Sequence, residues 1–423
     1  MGRESWSDRK KRVFDAIELQ RTPDRVPLFM KASYLPARIY GIAYEDAYYD
    51  QDKWLEANRR FIRAYRPDMF FQADSPVASP GPVHELLGNV QMKWPGHGID
   101  KNAAHQFVDK EFMKRADYEA FIDDPSDFLI RRFVPELYEN LAGLSKLPNL
   151  KTVVSGSYSL GFMVGMFADP DIQKAIQAIM EASKVGKEWG ERFDAFHAQM
   201  EEEGYVASYT PPVVVLPFDA ISSYLRGMRG ALTDMLKVPE KLLCAQAKLL
   251  SLFENSALFA GRRALERRPE ESPRIYIPLH RGGDGFMSAG QFETFYWPDL
   301  KHMLFTLIDA GITPMPFFEG CWDSRLEYLC ELPKGKVLGV FDKTDLKLAK
   351  KIVGGNLCLC GGMPSSMLQI ETPERIREFT KDLIVTVGRD GGFIMCTNTV
   401  LDEAKPELVK AWADATREFG AYA

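Results

Sequence analysis

The C-terminal half of the chain alternates short apolar segments with amphipathic ones. The apolar segments predict five strands, at residues 274–279, 312–318, 336–341, 357–360 and 392–396. The segments after them predict helices, at residues 288–310, 324–331, 344–353, 373–389 and 405–419. Strands that are apolar on both faces and are separated by helices are typical of a parallel sheet covered by helices.

Earlier apolar segments extend this pattern. Residues 25–30, 69–72 and 213–218 predict three more strands, and residues 239–267 predict a long helix before the regular half. Eight parallel strands indicate an α/β protein with a single (β/α)8 TIM barrel, here with an N-terminal helical extension. An open doubly wound sheet fits less well, because no glycine-rich dinucleotide fingerprint follows any of the strands. We therefore treat residues 1–423 as one barrel domain.

The composition narrows the class of protein. The chain has 423 residues, of which 46% are hydrophobic and 26% are charged, and its formal net charge is −6. With no long basic run, nucleic acid is not an expected partner. No apolar run reaches the length of a membrane span, and the polar start predicts no signal peptide. Six cysteines in a chain of this length indicate reduced thiols, so we expect a cytoplasmic protein.

Ionisable side chains follow several of the predicted strands directly. His280 and Asp284 come after the strand at 274–279, and Glu319 comes after the next strand. Asp74 follows an earlier strand, and Cys396 ends the last one. Because the strand ends of a barrel meet at one mouth, we expect these groups to share a pocket.

The residue types at this mouth allow several kinds of chemistry. A histidine, a carboxylate and a thiolate suffice for a catalytic zinc with an open position, which predicts His280, Glu319 and Cys396 as ligands. Cys321 and Asp323 are alternative ligands. His280 could instead be a structural, hydrogen-bonded histidine, and Glu319 could form a salt bridge with Arg325 or Arg281. Cys358 and Cys360 lie on one face of a strand and indicate core packing more than metal binding.

Several longer motifs resemble the uroporphyrinogen decarboxylase superfamily. They are Arg25-Val-Pro-Leu-Phe-Met30, Asp74, Leu216-Pro-Phe-Asp-Ala-Ile-Ser-Ser-Tyr-Leu225, Phe292-Glu-Thr-Phe-Tyr-Trp-Pro298, Leu359-Cys-Gly-Gly-Met-Pro364 and Val400-Leu-Asp-Glu-Ala-Lys-Pro-Glu407. The superfamily has one (β/α)8 barrel and includes haem-pathway decarboxylases and corrinoid-linked methyltransferases. The resemblance implies the same fold here, with a helical insertion at about residues 140–209 relative to shorter members.

Departures from the family motifs separate its branches. The decarboxylase motif Arg-Gln-Ala-Gly-Arg-Tyr is replaced by Met30-Lys-Ala-Ser-Tyr-Leu-Pro36, which keeps Lys31 but loses both arginines that bind carboxylates. The Gly-His-Gly motif is replaced by Thr397-Asn398-Thr399. In the methyltransferase branch, His-x-Cys binds zinc; here Phe317-Phe318-Glu319 stands in its place, and Asn398 aligns with the last zinc cysteine. A porphyrinogen substrate and a thiol-activating zinc are both disfavoured.

The resemblance therefore implies a methyltransferase or demethylase that acts on a small methylated substrate. The expected catalytic residues are Glu319, Asp74, Asp284 and Tyr224. The expected substrate-binding residues are Met30, Lys31, Phe218, Arg281, Trp322 and Asn398. The chain contains no Asp-x-His-x-x-Gly motif for cobalamin. The expected methyl acceptor is thus a corrinoid on a partner protein or tetrahydrofolate, and the expected assembly is a homodimer.

Two other functions stay open at the sequence level. One is a metal-independent decarboxylase or lyase in which Asp74 stabilises a protonated intermediate. The other is a non-enzymatic carrier of a tetrapyrrole or of cobalamin.

Overall fold

Eight parallel strands form the centre of the protein. The computed structural model describes residues 4–74 and 79–422. The strands are β1 (Phe29–Met30), β2 (Met69–Phe70), β3 (Val206–Ala207), β4 (Arg274–Leu279), β5 (Thr313–Phe318), β6 (Leu338–Phe341), β7 (Cys358–Met363) and β8 (Phe393–Thr397). Strands β1 to β3 pair in order in one sheet, and β4 to β8 pair in order in a second sheet.

Two seams join these sheets into a closed barrel. At the first seam, the backbone N–H of Met395 in β8 donates to the carbonyl of Pro27 at 2.9 Å, just before β1. At the second, the N–H of Thr210, after β3, donates to the carbonyl of Arg274 at 2.6 Å. The barrel thus has eight parallel strands, and the predicted (β/α)8 fold is confirmed.

Helices cover the outside of the barrel. The main ones are α1 (Trp6–Glu18), α2 (Gln51–Tyr65), α3 (Pro170–Glu202), α4 (Pro239–Arg267), α5 (Trp297–Asp309), α6 (Leu346–Val353), α7 (Pro373–Leu383) and α8 (Pro406–Phe419). A 3₁₀ helix, Asp323–Glu331, connects β5 to β6. Short α-helices lie at Leu35–Tyr40, Asp46–Tyr49, Gly81–Leu87, Tyr118–Asp123, Pro125–Phe128, Val134–Leu137, Ser157–Val164, Pro217–Ala220, Gly227–Lys237, Ala289–Phe295 and Met367–Ile370.

The connection from β2 to α3 is an irregular excursion. It contains a small sheet of Met92–Pro95, Gly98–Ile99 and Gln106–Phe107. It also contains 3₁₀ helices at Arg115–Asp117, Glu139–Lys146, Leu150–Ser155 and Gly165–Ala168, and a π-helical turn at Leu129–Phe133. Two more π-helical turns, Ile221–Leu225 and Ile384–Gly388, lie elsewhere in the chain.

Two layers of apolar side chains pack on the sheet. Phe29, Met69, Tyr276 and Met315 belong to a buried cluster inside the barrel. Side chains that alternate with them face the helices and form the larger outer core. Helix α1 adds Val13, Ala16 and Ile17 to the inner cluster, so this helix closes the end of the barrel at which the strands begin.

The structure corrects several sequence predictions. Residues 213–216 do not form a strand and lead into the helix Pro217–Ala220; the third strand is instead Val206–Ala207. This strand lies within residues 140–209, the range predicted as a helical insertion, and the last helix in that range ends at Glu202. The predicted helix 288–310 is two helices that are separated at Tyr296, next to Pro298.

Across residues 4–74 and 79–422, no helix is both long enough and apolar enough to cross a bilayer.

Candidate active site

A layer of polar side chains lies at the C-terminal mouth of the barrel, just beyond the apolar interior. Its members follow β1, β4, β5, β6 and β8; they are Lys31, His280, Glu319, Asp342 and Asn398. They continue the inward-facing positions of their strands, because side chains in a strand alternate between faces. The sequence analysis expected charged groups to gather at the strand ends. In the structure, the polar side chains at this level of the barrel are the five named above.

Lys31 lies deepest in this layer. Its side chain is fully buried, and its Nζ lies 3.8 Å from the centre of the Phe317 ring. Among the described residues the ammonium has no hydrogen-bond partner. Burial lowers the pKa of Lys31, while the charges of Cys396, Cys360, Asp342 and Glu319 oppose that shift. A buried cation without a direct partner is costly, which marks this position as a site for a ligand.

Glu319 points into the open part of the mouth. Its side chain is exposed to solvent, and its carboxylate accepts no hydrogen bond and forms no ion pair with any described residue. Desolvation by the surrounding protein raises the pKa of Glu319; Asp342 adds to this effect, whereas Arg281 and Lys31 oppose it. The alternative salt bridge to Arg325 does not form, because Arg325 is buried and donates to the carbonyl of Met287 at 2.8 Å.

Asp342 is held in place by two donors. Its Oδ2 accepts from the N–H of Gly320 at 3.0 Å, and its Oδ1 accepts from Nδ2 of Asn398 at 3.2 Å. Asn398 is itself oriented, because its Oδ1 accepts from the N–H of Ser365 at 2.9 Å. Asn398 therefore acts at the mouth by positioning Asp342. Asp342 was missed at the sequence level, although it is the first residue after the strand predicted at 336–341.

Asp219 is a second residue that the sequence did not reveal as part of the site. It is fully buried, and its Oδ2 accepts from the Tyr296 hydroxyl at 2.7 Å. The backbone of His280 and Arg281 lies close enough to lower its pKa, although its Oδ1 has no hydrogen-bond partner among the described residues. Burial nevertheless raises the pKa of Asp219 to about 7. This carboxyl group fixes the loop that carries His280 and Arg281.

His280 is neutral at physiological pH. Burial, with a smaller contribution from the charge of Arg281, lowers the pKa of His280 to about 4. Its Nδ1 lies 3.4 Å from the hydroxyl of Ser223, so its partner is a side chain of the neighbouring loop. A neutral imidazole at this place offers a hydrogen bond to a ligand without adding charge.

The predicted metal ligands are not assembled into a site. Within the part of the chain that the structure describes, no three His, Cys, Asp or Glu side chains are grouped so that they could hold a metal ion. Cys396 is fully buried, shares a hydrogen bond with Cys360, and has the charge of Lys31 nearby. The predicted set of His280, Glu319 and Cys396 therefore does not form a metal-binding cluster within the described residues.

The alternative ligands are also engaged elsewhere. Asp323 Oδ1 accepts from the N–H of Asp345 at 2.9 Å, and Cys321 is a free, half-buried cysteine whose backbone carbonyl accepts from the N–H of Asp284 at 2.8 Å. Cys358 is fully buried in the inner core, where burial raises the pKa of its thiol. These contacts are structural.

Several predicted site residues prove to be structural. The carboxylate of Asp284 accepts from the backbone N–H of Ser324 at 3.1 Å and from its hydroxyl at 2.8 Å, so it fixes a loop. Trp322 is fully buried, and its Nε1 donates to the carbonyl of Glu319 at 3.0 Å. Met30 and Phe218 are buried in the outer core, facing away from the barrel interior. Their predicted contacts with a substrate are not supported.

Tyr224 lies beside the loop that follows β4. Burial raises the pKa of its hydroxyl; the charge of Asp219 adds to that shift, and the charge of Arg281 opposes it. The ring is half-buried and contacts Phe107, at 6.3 Å between ring centres. Tyr224 thus belongs to the wall of the mouth next to Arg281.

Asp74 belongs to a separate group. Its Oδ1 lies 3.5 Å from Nε2 of His197, and burial raises the pKa of Asp74 while His197 opposes the shift. His197 and Tyr209 also line a cavity of about 440 Å³ between α1, α3 and the start of β4. The mouth residues do not line this cavity.

Four of the charged residues that line this lateral cavity form ion pairs with one another. Lys10 lies 2.9 Å from Glu271, and Arg268 lies 2.7 Å from Glu201. Because these charges neutralise one another, the cavity has less need of a ligand than the mouth has. We therefore place the candidate active site at the mouth.

Comparisons with known proteins agree with this architecture. Residues 251–419 match the family model described as uroporphyrinogen decarboxylase (URO-D). A solved structure, a methyltransferase from Methanosarcina mazei, aligns with a TM-score of 0.57 over 97% of this chain and 98% of its own, at 13% sequence identity. At that identity, the similarity shows a shared fold. No curated protein matches the chain significantly. The family model thus matches the C-terminal part of the barrel, residues 251–419, and the fold of the whole chain is shared with the methyltransferase structure.

Proposed function

We propose that this protein transfers a methyl group between a small methylated substrate and a corrinoid on a partner protein, with tetrahydrofolate as the alternative acceptor. The observation that supports a substrate site is the pair of buried donor atoms at the mouth without partners, Lys31 Nζ and Arg281 Nε, which lie near the exposed carboxylate of Glu319. Such groups cost free energy unless a ligand completes them. The shared fold with a methyltransferase supports the choice of reaction.

Glu319 is the residue best placed to move a proton. When a methyl group leaves an oxygen, sulfur or nitrogen atom, that atom keeps the bonding electron pair and needs a proton. The raised pKa of Glu319 increases the fraction of the side chain that carries such a proton at a given pH. The corrinoid would supply a cobalt centre that takes up the methyl group. The chain itself binds and orients the substrate and protonates the leaving atom.

The other mouth residues assist Glu319. Lys31 and Asp342 act on its pKa in opposite directions, so together they keep the carboxyl able both to release and to regain a proton. The neutral imidazole of His280 supplies a hydrogen bond to the substrate heteroatom. No step requires a metal ligand from this chain.

The experiment is a methyl-transfer assay with free cofactors. The purified chain is mixed with cob(I)alamin, or with tetrahydrofolate, and with methoxy, methylthio and methylamino compounds. Formation of methylcobalamin is followed by absorbance, and methyl-tetrahydrofolate by chromatography. We expect turnover with at least one compound and its loss in Glu319→Gln. Glu327→Gln, at an exposed glutamate of the 3₁₀ helix Asp323–Glu331, is the matched control and should stay active.

A second function, a metal-independent lyase, is favoured by one observation. Asp74 has a raised pKa and lies beside His197, next to the lateral cavity. In this case carbon dioxide would be released from a carboxylated substrate, and Asp74→Asn rather than Glu319→Gln would abolish the reaction. A carrier of tetrapyrrole or cobalamin would instead show a bound chromophore in the absorbance spectrum of the purified protein.

A further inference from the structure

Arg281 is the cation nearest the open part of the mouth. It follows β4 in the loop that Asp219 holds, and its side chain is half-buried. Its guanidinium donates no hydrogen bond and forms no ion pair with any described residue, and its Nε is buried without a partner. A buried Nε–H without a partner is costly, and the rest of this half-buried guanidinium has free donors, so the fold presents the group for a ligand.

The neighbouring acids do not use the donors of Arg281. Asp219 Oδ2 accepts from the Tyr296 hydroxyl, and Asp219 Oδ1 is buried without a hydrogen-bond partner, so no hydrogen bond joins it to Arg281. The charge of Glu319 is close enough to interact with Arg281, yet the two side chains form no ion pair. The planar fork of the guanidinium thus remains available for two parallel hydrogen bonds.

Aromatic rings hold Arg281 and extend the surface around it. The guanidinium carbon lies 5.2 Å from the centre of the half-buried Phe286 ring, which fixes the plane of the fork. Tyr224 lies on the other side, with Phe107 beside it. Flat apolar surfaces next to a fixed fork fit a small, planar anion.

We propose that the methylated substrate carries a carboxylate, or a chemically equivalent oxyanion, which binds Arg281 through two hydrogen bonds while the rest of the substrate packs against Phe286 and Tyr224. This rests on the proposed function only in assigning the methyl group to the part of the substrate near Glu319. Lys31 lies deeper and does not take part in this contact.

The test compares ligands that differ only in charge. Isothermal titration calorimetry measures binding of 4-methoxybenzoate, its neutral amide 4-methoxybenzamide, and benzoate, which lacks the methyl group. Hydrogen bonds to a charged partner predict that each carboxylate binds on the order of tenfold to a hundredfold more tightly than the amide. Equal binding of acid and amide, or no binding of either carboxylate at millimolar concentration, overturns the proposal.

Variants locate the preference at Arg281. Arg281→Gln should bind acid and amide equally, and Arg281→Lys should keep only part of the difference, because lysine lacks the planar fork. Lys343→Gln removes an exposed positive charge that also acts on Glu319, and it should keep the full preference. A carboxylate preference that survives in Arg281→Gln contradicts the assignment. Circular dichroism checks that each variant is folded.

The outcomes separate this inference from the proposed function. If the carboxylates bind through Arg281 but no methylated compound transfers its methyl group, the anion site stands and the methyl-transfer proposal fails. If methyl transfer occurs and Arg281→Gln transfers methyl groups from charged substrates as efficiently as the wild type, the methyl-transfer proposal stands and the anion site at Arg281 fails.

Discussion

The two halves of the barrel are held together by different forces. Strands β4 to β8 have four to six residues each and form a continuous ladder of backbone hydrogen bonds. Strands β1 to β3 have two residues each. There, Asp68 at the start of β2 is fully buried and accepts from Arg12 and Arg25, both at 2.6 Å, and from the N–H of Leu28 at 2.8 Å. A side-chain network thus supports the half with the shorter ladder.

The same difference affects the candidate site. Glu319 and Asp342 follow strands of the long-ladder half, where the backbone positions are fixed by neighbours on both sides. Asp74 follows a strand of the short-ladder half and has His197, from α3, as its partner. Catalysis needs side chains held in a fixed geometry, so we expect the chemistry to depend on the long-ladder half.

The largest expected effect tests this division directly. Glu319→Gln should reduce methyl transfer by about a hundredfold to ten-thousandfold, the usual cost of losing an acid–base group, whereas Asp74→Asn should retain most of the activity. Both replacements are nearly isosteric and remove one negative charge. Measured kcat/KM values that fall more for Asp74→Asn would place the chemistry in the other half and favour a lyase.

The next effect concerns stability. Asp68→Ala leaves Arg12 and Arg25 without their shared buried partner, so the free energy of unfolding should fall by about 3–5 kcal/mol. Lys347→Ala, in the long-ladder half, removes an exposed pair with Asp382 and should cost less than about 1 kcal/mol. Urea denaturation measures both. Similar losses in the two variants would show that the Asp68 network does not support the short-ladder half.

A smaller loss is expected at the end of β4. A Cβ atom on Gly282 would lie 2.3 Å from the Trp322 ring and 2.5 Å from the Tyr296 ring. Gly282→Ala should therefore destabilise the protein by about 1–3 kcal/mol, as overpacked cores do. Gly285→Ala, three residues later, meets no atom within 4 Å and is the matched control. Equal urea midpoints for the two variants would contradict the packing that we describe for Trp322.

The smallest effect is a dependence on pH. His280 has a folded-state pKa of about 4, below its ordinary 6.5, so the unfolded chain binds more protons between these values. Its contribution to stability is complete above pH 6.5 and is lost as the pH falls towards 4. His280→Gln should remove that loss, on the order of 1 kcal/mol for a partly exposed group. When the pH is lowered from 7.5 to 4.5, the free energy of unfolding should therefore fall more for the wild type than for the variant. An equal fall in both proteins would show that His280 is not desolvated.

The long-ladder half was also the half that sequence patterns predicted well. Five apolar residues in a row with an ionisable residue after them located the ends of β4 and β5, and hence His280 and Glu319. The same rule would have found Asp342 after β6. The short strands carry too few residues for a periodic signal, so the apolar segment 213–218 was taken for a strand in place of Val206–Ala207.

Other parts of the site depend on contacts that no local pattern contains. The proximity of Lys31 to Cys396 arises only when β8 closes against β1. The role of Asp219 depends on Tyr296, which lies 77 positions away in the chain. Trp322 looked like a ligand contact because it follows Glu319, yet a turn of the backbone places it in the core.

The seam between β8 and β1 has a consequence for how the molecule folds. It joins Leu28 to Met395, and the N–H of Val26 donates to the carbonyl of Gly420 at 2.8 Å. During synthesis, one edge of β1 therefore waits for β8, which begins 363 positions after the end of β1 (393 against 30). Contacts between such distant residues slow folding, and an open strand edge invites pairing with another chain. We expect newly made chains to aggregate more readily than finished ones.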